Sequence, residues 1–415
     1  MPNLILHLAK CTVFLLIALL ATTLACWFTP AGNDYQRELN DLASAAAHRP
    51  ALKPAETAFN NAYYWFAKSA LTAHPKDAQQ ALAAFATATN TQPVSAELLL
   101  LKASFNLKWH RIPAAKADLA QLGALSNDPR VQILHADIAV QEGDYPAALA
   151  SYTQRLNHQR NWDTLARLAY LRAKLGDPKT ADELYIAAEA ELSAKDMRAF
   201  AWLELQRGYL ALSAGDYPRA DTHYQAAEHA YSGYWLSQDY RAEWYAAQRN
   251  YPAAIQTYLA LIACSKRPEH YHALGDLYLF MNQPELAKPW HDAALAAYMA
   301  AVQRGETQYY HTLSAFYADT RTDGALAITY AQQDVRLRPN VGTRDALAWA
   351  YFRAERYPEA AAEMQRALAY GWQDAHLFYH AAMIFLAAGP TALGQHYLNL
   401  AATLNPHYTD FHAHR

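Results

Sequence analysis

The stretch Gly215-Asp216-Tyr217-Pro218-Arg219-Ala220-Asp221-Thr222-His223-Tyr224-Gln225-Ala226-Ala227 decides how the whole chain is read. Gly-Asp makes a tight turn, the proline opens a helix where its missing N–H costs nothing, and alanine follows two residues later. The same order returns at Gly143-Asp144-Tyr145-Pro146-Ala147-Ala148, at Asn250-Tyr251-Pro252-Ala253-Ala254 and at Arg356-Tyr357-Pro358-Glu359-Ala360. A small residue early in each following helix sets the register: Ala81, Ala115, Ala148, Ala181, Ala220, Ala254, Ala287, Ala327 and Ala360. Successive spacings are 34, 33, 33, 39, 34, 33, 40 and 33 residues, and Leu393 continues the series 33 further on.

Twelve residues before each marker a second small residue usually stands, among them Ser69, Ala103, Ala136, Ala169, Gly208, Ala242, Gly275, Ala315 and Ala348. Two such series are what antiparallel helices need if their backbones are to cross closely, so Gly208 and Ala220 are expected to face each other. Four residues after the marker a large side chain plugs the pair: Phe85, Leu119, Tyr152, Tyr185, Tyr224, Tyr258 and Met364. Most of the tyrosines are therefore assigned to packing, not to chemistry.

The pattern resembles the tetratricopeptide repeat, a 34-residue helix–turn–helix unit, in about ten copies over residues 56–406. The resemblance implies an all-α fold, a right-handed superhelical solenoid of antiparallel helix pairs, here preceded by one N-terminal apolar helix. Each unit of such an array packs on its neighbours, so 415 residues need no division into globular domains. The two long intervals predict lengthened helices near residues 190–201 and 293–305, with 286–304 as one long helix.

Residues 11–28 carry no charge, and 18 residues span roughly 27 Å, enough for a bilayer core. Lys10 precedes the run, so the start is expected to stay cytoplasmic and the repeats to lie outside, in a periplasm or cell envelope. Three fates compete for residues 1–28: an uncleaved anchor, a cleaved secretory signal, and a lipoprotein signal in which Thr23-Leu24-Ala25-Cys26 stands for the lipid-attachment motif and Cys26 accepts the lipid. Residues 29–55 read as a linker with a short helix from Tyr35 to Ala47, and residues 407–415 as a tail.

Composition narrows the function. A net charge of −3 argues against a nucleic-acid partner held by a basic field. Three cysteines, two of them in the apolar run, supply no disulfide framework. There is no nucleophile elbow and no glycine-rich phosphate loop, so neither an enzyme nor a cofactor is expected. His376 and His380 stand four apart on one helical face, and His407, His412 and His414 crowd the tail. Neither group shows a third ligand at diagnostic spacing, and no metal site is expected.

What remains is the surface. In the family that the chain resembles, first helices line a concave groove that holds partner peptides. Helical spacing places Trp202, Tyr209, Tyr309, Phe316 and Trp349 there, with Asp239, Glu243, His272, Asp276 and Asp345 among them. Such a wall suits a protein or peptide ligand, basic and with apolar anchors. The expected function is a membrane-tethered scaffold for protein–protein interaction. The alternatives are a carbohydrate-binding or polysaccharide-export accessory, and a metal-dependent enzyme.

Overall fold

The computed structural model describes residues 32–48, 53–91 and 94–410. The apolar run 11–28 and Cys26 lie outside the described residues, as do His412 and His414. No helix among the described residues is long and apolar enough to cross a membrane.

After a first helix, Asp34–Ala47, the chain forms ten helix pairs with no strand among the described residues. Unit 1 joins Pro54–Thr72 to Pro75–Thr89, unit 2 Ala96–Lys108 to Ile112–Ala120, and unit 3 Pro129–Gln141 to Tyr145–His158. Unit 4 joins Trp162–Lys174 to Pro178–Ala190, unit 5 Met197–Ser213 to Tyr217–Ala230, and unit 6 Trp235–Ala247 to Tyr251–Ser265. Unit 7 joins Pro268–Phe280 to Pro284–Gln303, and in unit 8 an irregular first arm, residues 307–320, precedes Gly324–Leu337. Units 9 and 10 join Val341–Arg353 to Tyr357–Leu368 and Ala375–Ala388 to Thr391–Leu404. The turn residues work as the repeat demands. Asp144, Asp177, Asp216, Asn250 and Asp323 each cap a second helix by accepting a backbone N–H, and proline stands in the first turn of four of these five.

Every marker alanine from Ala81 to Ala360 is buried, and so are all seven expected plugs. One detail refines the expectation. What lies nearest Gly208 is the Tyr224 ring: a Cβ there would stand 2.3 Å from Tyr224 Cε1. Gly275 plays the same part in unit 7, where its Cβ would meet the imidazole of His291 at 2.2 Å. The glycine thus makes room for the ring of the facing helix, and the small residues are spaced to admit plugs.

The 40-residue interval is the unbroken helix Pro284–Gln303, 20 residues long, as expected. The 39-residue interval is built differently. The helix stops at Ala190, and the extra length goes into a connection and a 17-residue Met197–Ser213. Cys264 corrects the cysteine reading, because it is disulfide-bonded.

The solenoid winds tightly enough to touch itself. Asn340 Nδ2 donates to the Gln141 carbonyl at 3.0 Å, Val341 N to the Tyr145 hydroxyl at 3.2 Å, and Gln373 N to the Lys174 carbonyl at 2.8 Å. Lys174 Nζ pairs with Asp374 at 2.8 Å, and the Tyr217 hydroxyl donates to Asp410 at 3.1 Å. The sequence separations of these pairs cluster between 193 and 200 residues. Unit 3 therefore meets unit 9, unit 4 meets unit 10, and unit 5 meets the segment after unit 10. One winding takes about six units. The first helix closes the other side: Tyr35 N donates to the Ser232 carbonyl at 3.1 Å and Asp34 accepts from Ser232, so the linker contains a docked element.

Candidate functional site

First helices of units 1 to 5 enclose a cavity of about 800 Å³, lined by Phe66, Leu107, Lys108, Trp162, Tyr170 and Trp202 among others. The helix pairs explain its chemistry. Second helices spend their rings as plugs, so the inner face of each first helix is left with side chains that no neighbouring unit covers. Tyr170 is 40% exposed, and Trp202 is half-buried in the wall.

Charges in the wall are mostly matched. Arg167 Nε and Nη2 donate to the two Asp137 oxygens at 2.8 and 3.1 Å, and the same guanidinium also bonds Asp163. Burial works against the Arg167 charge, but the two carboxylates outweigh it and hold its pKa above the ordinary value. The Tyr152 hydroxyl donates to Asp137. Burial first, and the Asp137 charge second, push that phenol far up.

Lys108 is the exception. Its side chain is exposed to the cavity, and no carboxylate pairs with it among the described residues. The desolvating walls, aided by the charges of Arg198 and Arg267, lower its pKa to about 8. Arg198, also in the lining, reaches Glu38 at 3.2 Å. The open charge of this cavity is positive.

Of the side chains expected in the groove, Trp202 lines the cavity. Tyr209 is exposed, with Lys174 Nζ 5.7 Å from its ring centre. Asp239 and Asp276 each lie beside an imidazole. Asp239 stands 3.5 Å from His270 Nε2. Asp276 holds His291 Nε2 at 2.9 Å on one oxygen and His272 Nε2 at 3.3 Å on the other. Glu243 is half-buried.

Two ring assignments need correction. Tyr309 is 4% exposed and Phe316 wholly buried, so neither offers a surface. The reason is local. The first arm of unit 8 runs through a 3-10 turn (Thr307–Tyr309), a short α-helix (Tyr310–Ala315) and a π-helical turn (Phe316–Thr320). A projection at 3.6 residues per turn loses its phase across those changes.

Asp345 and Trp349 do come together, but with each other's neighbours in unit 10. Trp349 stacks on His380 with ring centres 3.9 Å apart and planes 9° apart, and it donates to Asp319 from Nε1 at 3.0 Å. Asp345 is 9% exposed and lies 3.0 Å from His380 Nδ1. Burial pushes its carboxyl up to about 7, against a smaller downward pull from His376. Residues that sequence reasoning did not single out are Lys108, Trp162, Arg198, His291 and Asp319. Only His291 carried a signal, since it stands four residues after marker Ala287 in the plug position.

No family model matches the chain, and no curated protein matches it. Solved structures do match. A chain of the APC/C hetero-tetramer Cut9-Hcn1 is 15% identical, with 92% of this chain and 80% of that one covered and a TM-score of 0.44. A tetratricopeptide repeat protein from Parabacteroides merdae ATCC 43184 is 16% identical over 70% of this chain and 98% of that one, TM-score 0.34. The human IFIT1 dimer with PPP-AAAA gives 14% identity, coverages of 89% and 86%, and a TM-score of 0.44. None of these likenesses carries an argument about this chain. Its fold stands on the ten helix pairs themselves.

Proposed function

We propose that the chain is a membrane-tethered scaffold, its repeats on the extracytoplasmic side, that holds a segment of another protein in the cavity enclosed by units 1 to 5. The observation that carries this reading is the lining itself. Trp162, Tyr170 and Trp202 supply rings to a concave wall whose other charges are mostly matched, and Lys108 stands there as a cation that no carboxylate pairs among the described residues. Apolar concavities with a few placed polar groups are the usual form of a binding site, and aromatic anchors dominate the affinity of interfaces. The partner segment therefore combines apolar or aromatic anchors with a carboxylate that meets Lys108. Asp276, its two oxygens held by His272 and His291, is poorly placed to recruit a basic peptide. The tether rests on the uncharged run 11–28 behind Lys10.

A photoreactive phenylalanine at Ala199, in the cavity lining, tests the site. In cross-linking on intact membranes it should yield a discrete polypeptide adduct, while the same residue at Lys179 on the outer helix of unit 4 should not. Equal adducts from both positions, or none from Ala199, overturn the reading, and a glycan adduct from Ala199 replaces it with a carbohydrate-binding one. The adduct should also fade as pH rises through about 8, because Lys108 then loses its charge. Fractionation tests the tether: full-length protein at full mass in the soluble fraction would exclude it, and Cys26→Ser should release only a lipid-held chain.

A further inference from the structure

We propose that Asp345, His376 and His380 form a binding site for one divalent transition cation, zinc above all, between the first helices of units 9 and 10. The inference is independent of the cavity in units 1 to 5. One ligand atom from each residue lies within 4.8 Å of the other two, and theirs is the sole such grouping of histidine, cysteine and carboxylate among the described residues. His376 and His380 share a helical face four residues apart, with ring centres 4.0 Å from each other. Asp345 comes from the neighbouring helix, 35 residues earlier than His380, and its two oxygens stand 3.0 and 3.2 Å from His380 Nδ1.

Geometry favours an ion. Two ligands on one tetrahedral zinc at about 2.0–2.2 Å stand about 3.4 Å apart, so the Asp345–His380 pair is already at bridging distance. The half-buried His376 ring has its ligand nitrogen within 4.8 Å of both, so a small side-chain adjustment brings it onto the same ion. Trp349 lies flat against His380 and is itself held by Asp319, which restricts the orientation of the imidazole plane. Charge favours it too. Asp345 is buried without a lysine or arginine pair among the described residues, and a buried carboxylate needs either a proton or a cation. The incoming metal displaces the proton held between His380 Nδ1 and Asp345 to solvent.

The cluster around Asp276 shows what such a site is not. It too joins one carboxylate to two imidazoles, but these sit on opposite oxygens, with ring centres 5.9 Å apart. One ion does not reach all three there. Two imidazoles and a carboxylate match zinc, cobalt(II) or nickel(II) rather than calcium or magnesium, whose sites are built of oxygen. The incomplete ligand set leaves a coordination position for water or for a donor from a partner.

The test uses the full-length protein in detergent, stripped with chelator and titrated with cobalt(II) as a coloured substitute for zinc. Visible bands should grow to one equivalent and be bleached by zinc. Asp345→Asn and His376→Ala should each weaken cobalt binding at least tenfold, while an His412→Ala, His414→Ala double variant should bind as the parent does. His376 is half-buried, so its removal keeps the fold and the comparison valid even if Asp345→Asn does not. Binding that is absent in the parent, unchanged in both site variants, or lost with the tail histidines overturns the proposal.

Discussion

The turns inside units 3, 4 and 5 and the turns inside units 6, 7, 8 and 9 take one backbone conformation with different residues. Gly143, Gly176 and Gly215 have φ of 81°, 89° and 77°, whereas Arg249, Asn282, Thr322 and Glu355 have φ of 60°, 57°, 53° and 60°. Four ordinary side chains accept the left-handed turn, so conformation alone does not require glycine. The difference lies in what rests on the turn. A Cβ on Gly143 would meet Tyr370 Cε1 at 2.7 Å and the Pro339 carbonyl at 2.8 Å, one on Gly176 the Gln373 side chain at 2.6 Å, and one on Gly215 Asn405 Oδ1 at 2.9 Å. All of those neighbours belong to the winding six units on. In the turns of units 3, 4 and 5 glycine stands where two windings press closest. Arg249 and the His110 turn of unit 2 reach across windings too, but through the far ends of their side chains, to Asp410 and Arg338.

The largest effect should come from filling that gap. Gly143→Ala adds a strained left-handed residue and drives a methyl into a backbone carbonyl that has little room to retreat. It should destabilise by about 2–4 kcal/mol in denaturant titration. Limited proteolysis should find residues 338–341 newly cut while the second helix of unit 3 stays protected. A variant as stable as the parent would mean that the windings do not touch.

Next comes the ion pair that joins the same windings. Burial works to raise the Asp374 carboxyl, and the Lys174 ammonium outweighs it, holding the group well below the ordinary carboxylate range. Both partners keep some exposure, at 18% and 27% of their side chains, so the loss falls short of a fully buried pair. Lys174→Ala should cost about 1–3 kcal/mol. Asp374→Asn made in the same molecule should return part of that, since no carboxylate is then left unpaired and the amide oxygen still caps the first helix of unit 10. Strict additivity of the two changes would place the pair in solvent.

These contacts explain what the sequence discloses and what it hides. Repeat spacing, capping turns and plugs are local, each legible within one 34-residue frame, and Tyr224 or Met364 is found by counting from its marker. The winding contacts join residues about 200 apart, and their geometry depends on small rotations summed over six units. Gly143 therefore reads as a turn residue when it is also a contact. The candidate metal site divides the same way. His376 and His380 are visible as neighbours on a helix, and Asp345 is visible as an inward acid, but only the packing of unit 9 on unit 10 brings them together. Phe316 shows the reverse failure, a side chain assigned to the groove because an even helical period was drawn through a π-helical turn.

The smallest effect should also have the opposite sign. Glu355 occupies the left-handed turn of unit 9 with φ of 60°, and its side chain is exposed. Glu355→Gly relieves the clash that a Cβ suffers in that conformation, a gain of about 1 kcal/mol, and gives back about 0.5–1 kcal/mol through the freer unfolded chain. The balance is a stabilisation between zero and about 0.5 kcal/mol. Gly143→Ala reverses the same chemical step and meets the second winding as well. If conformation were the whole reason for glycine, the two substitutions would mirror each other, equal in size and opposite in sign. If contact between windings is the reason, Gly143→Ala loses several times what Glu355→Gly gains. Paired denaturant titrations of the two variants separate those outcomes, and equal magnitudes would return glycine to the role of a simple turn residue.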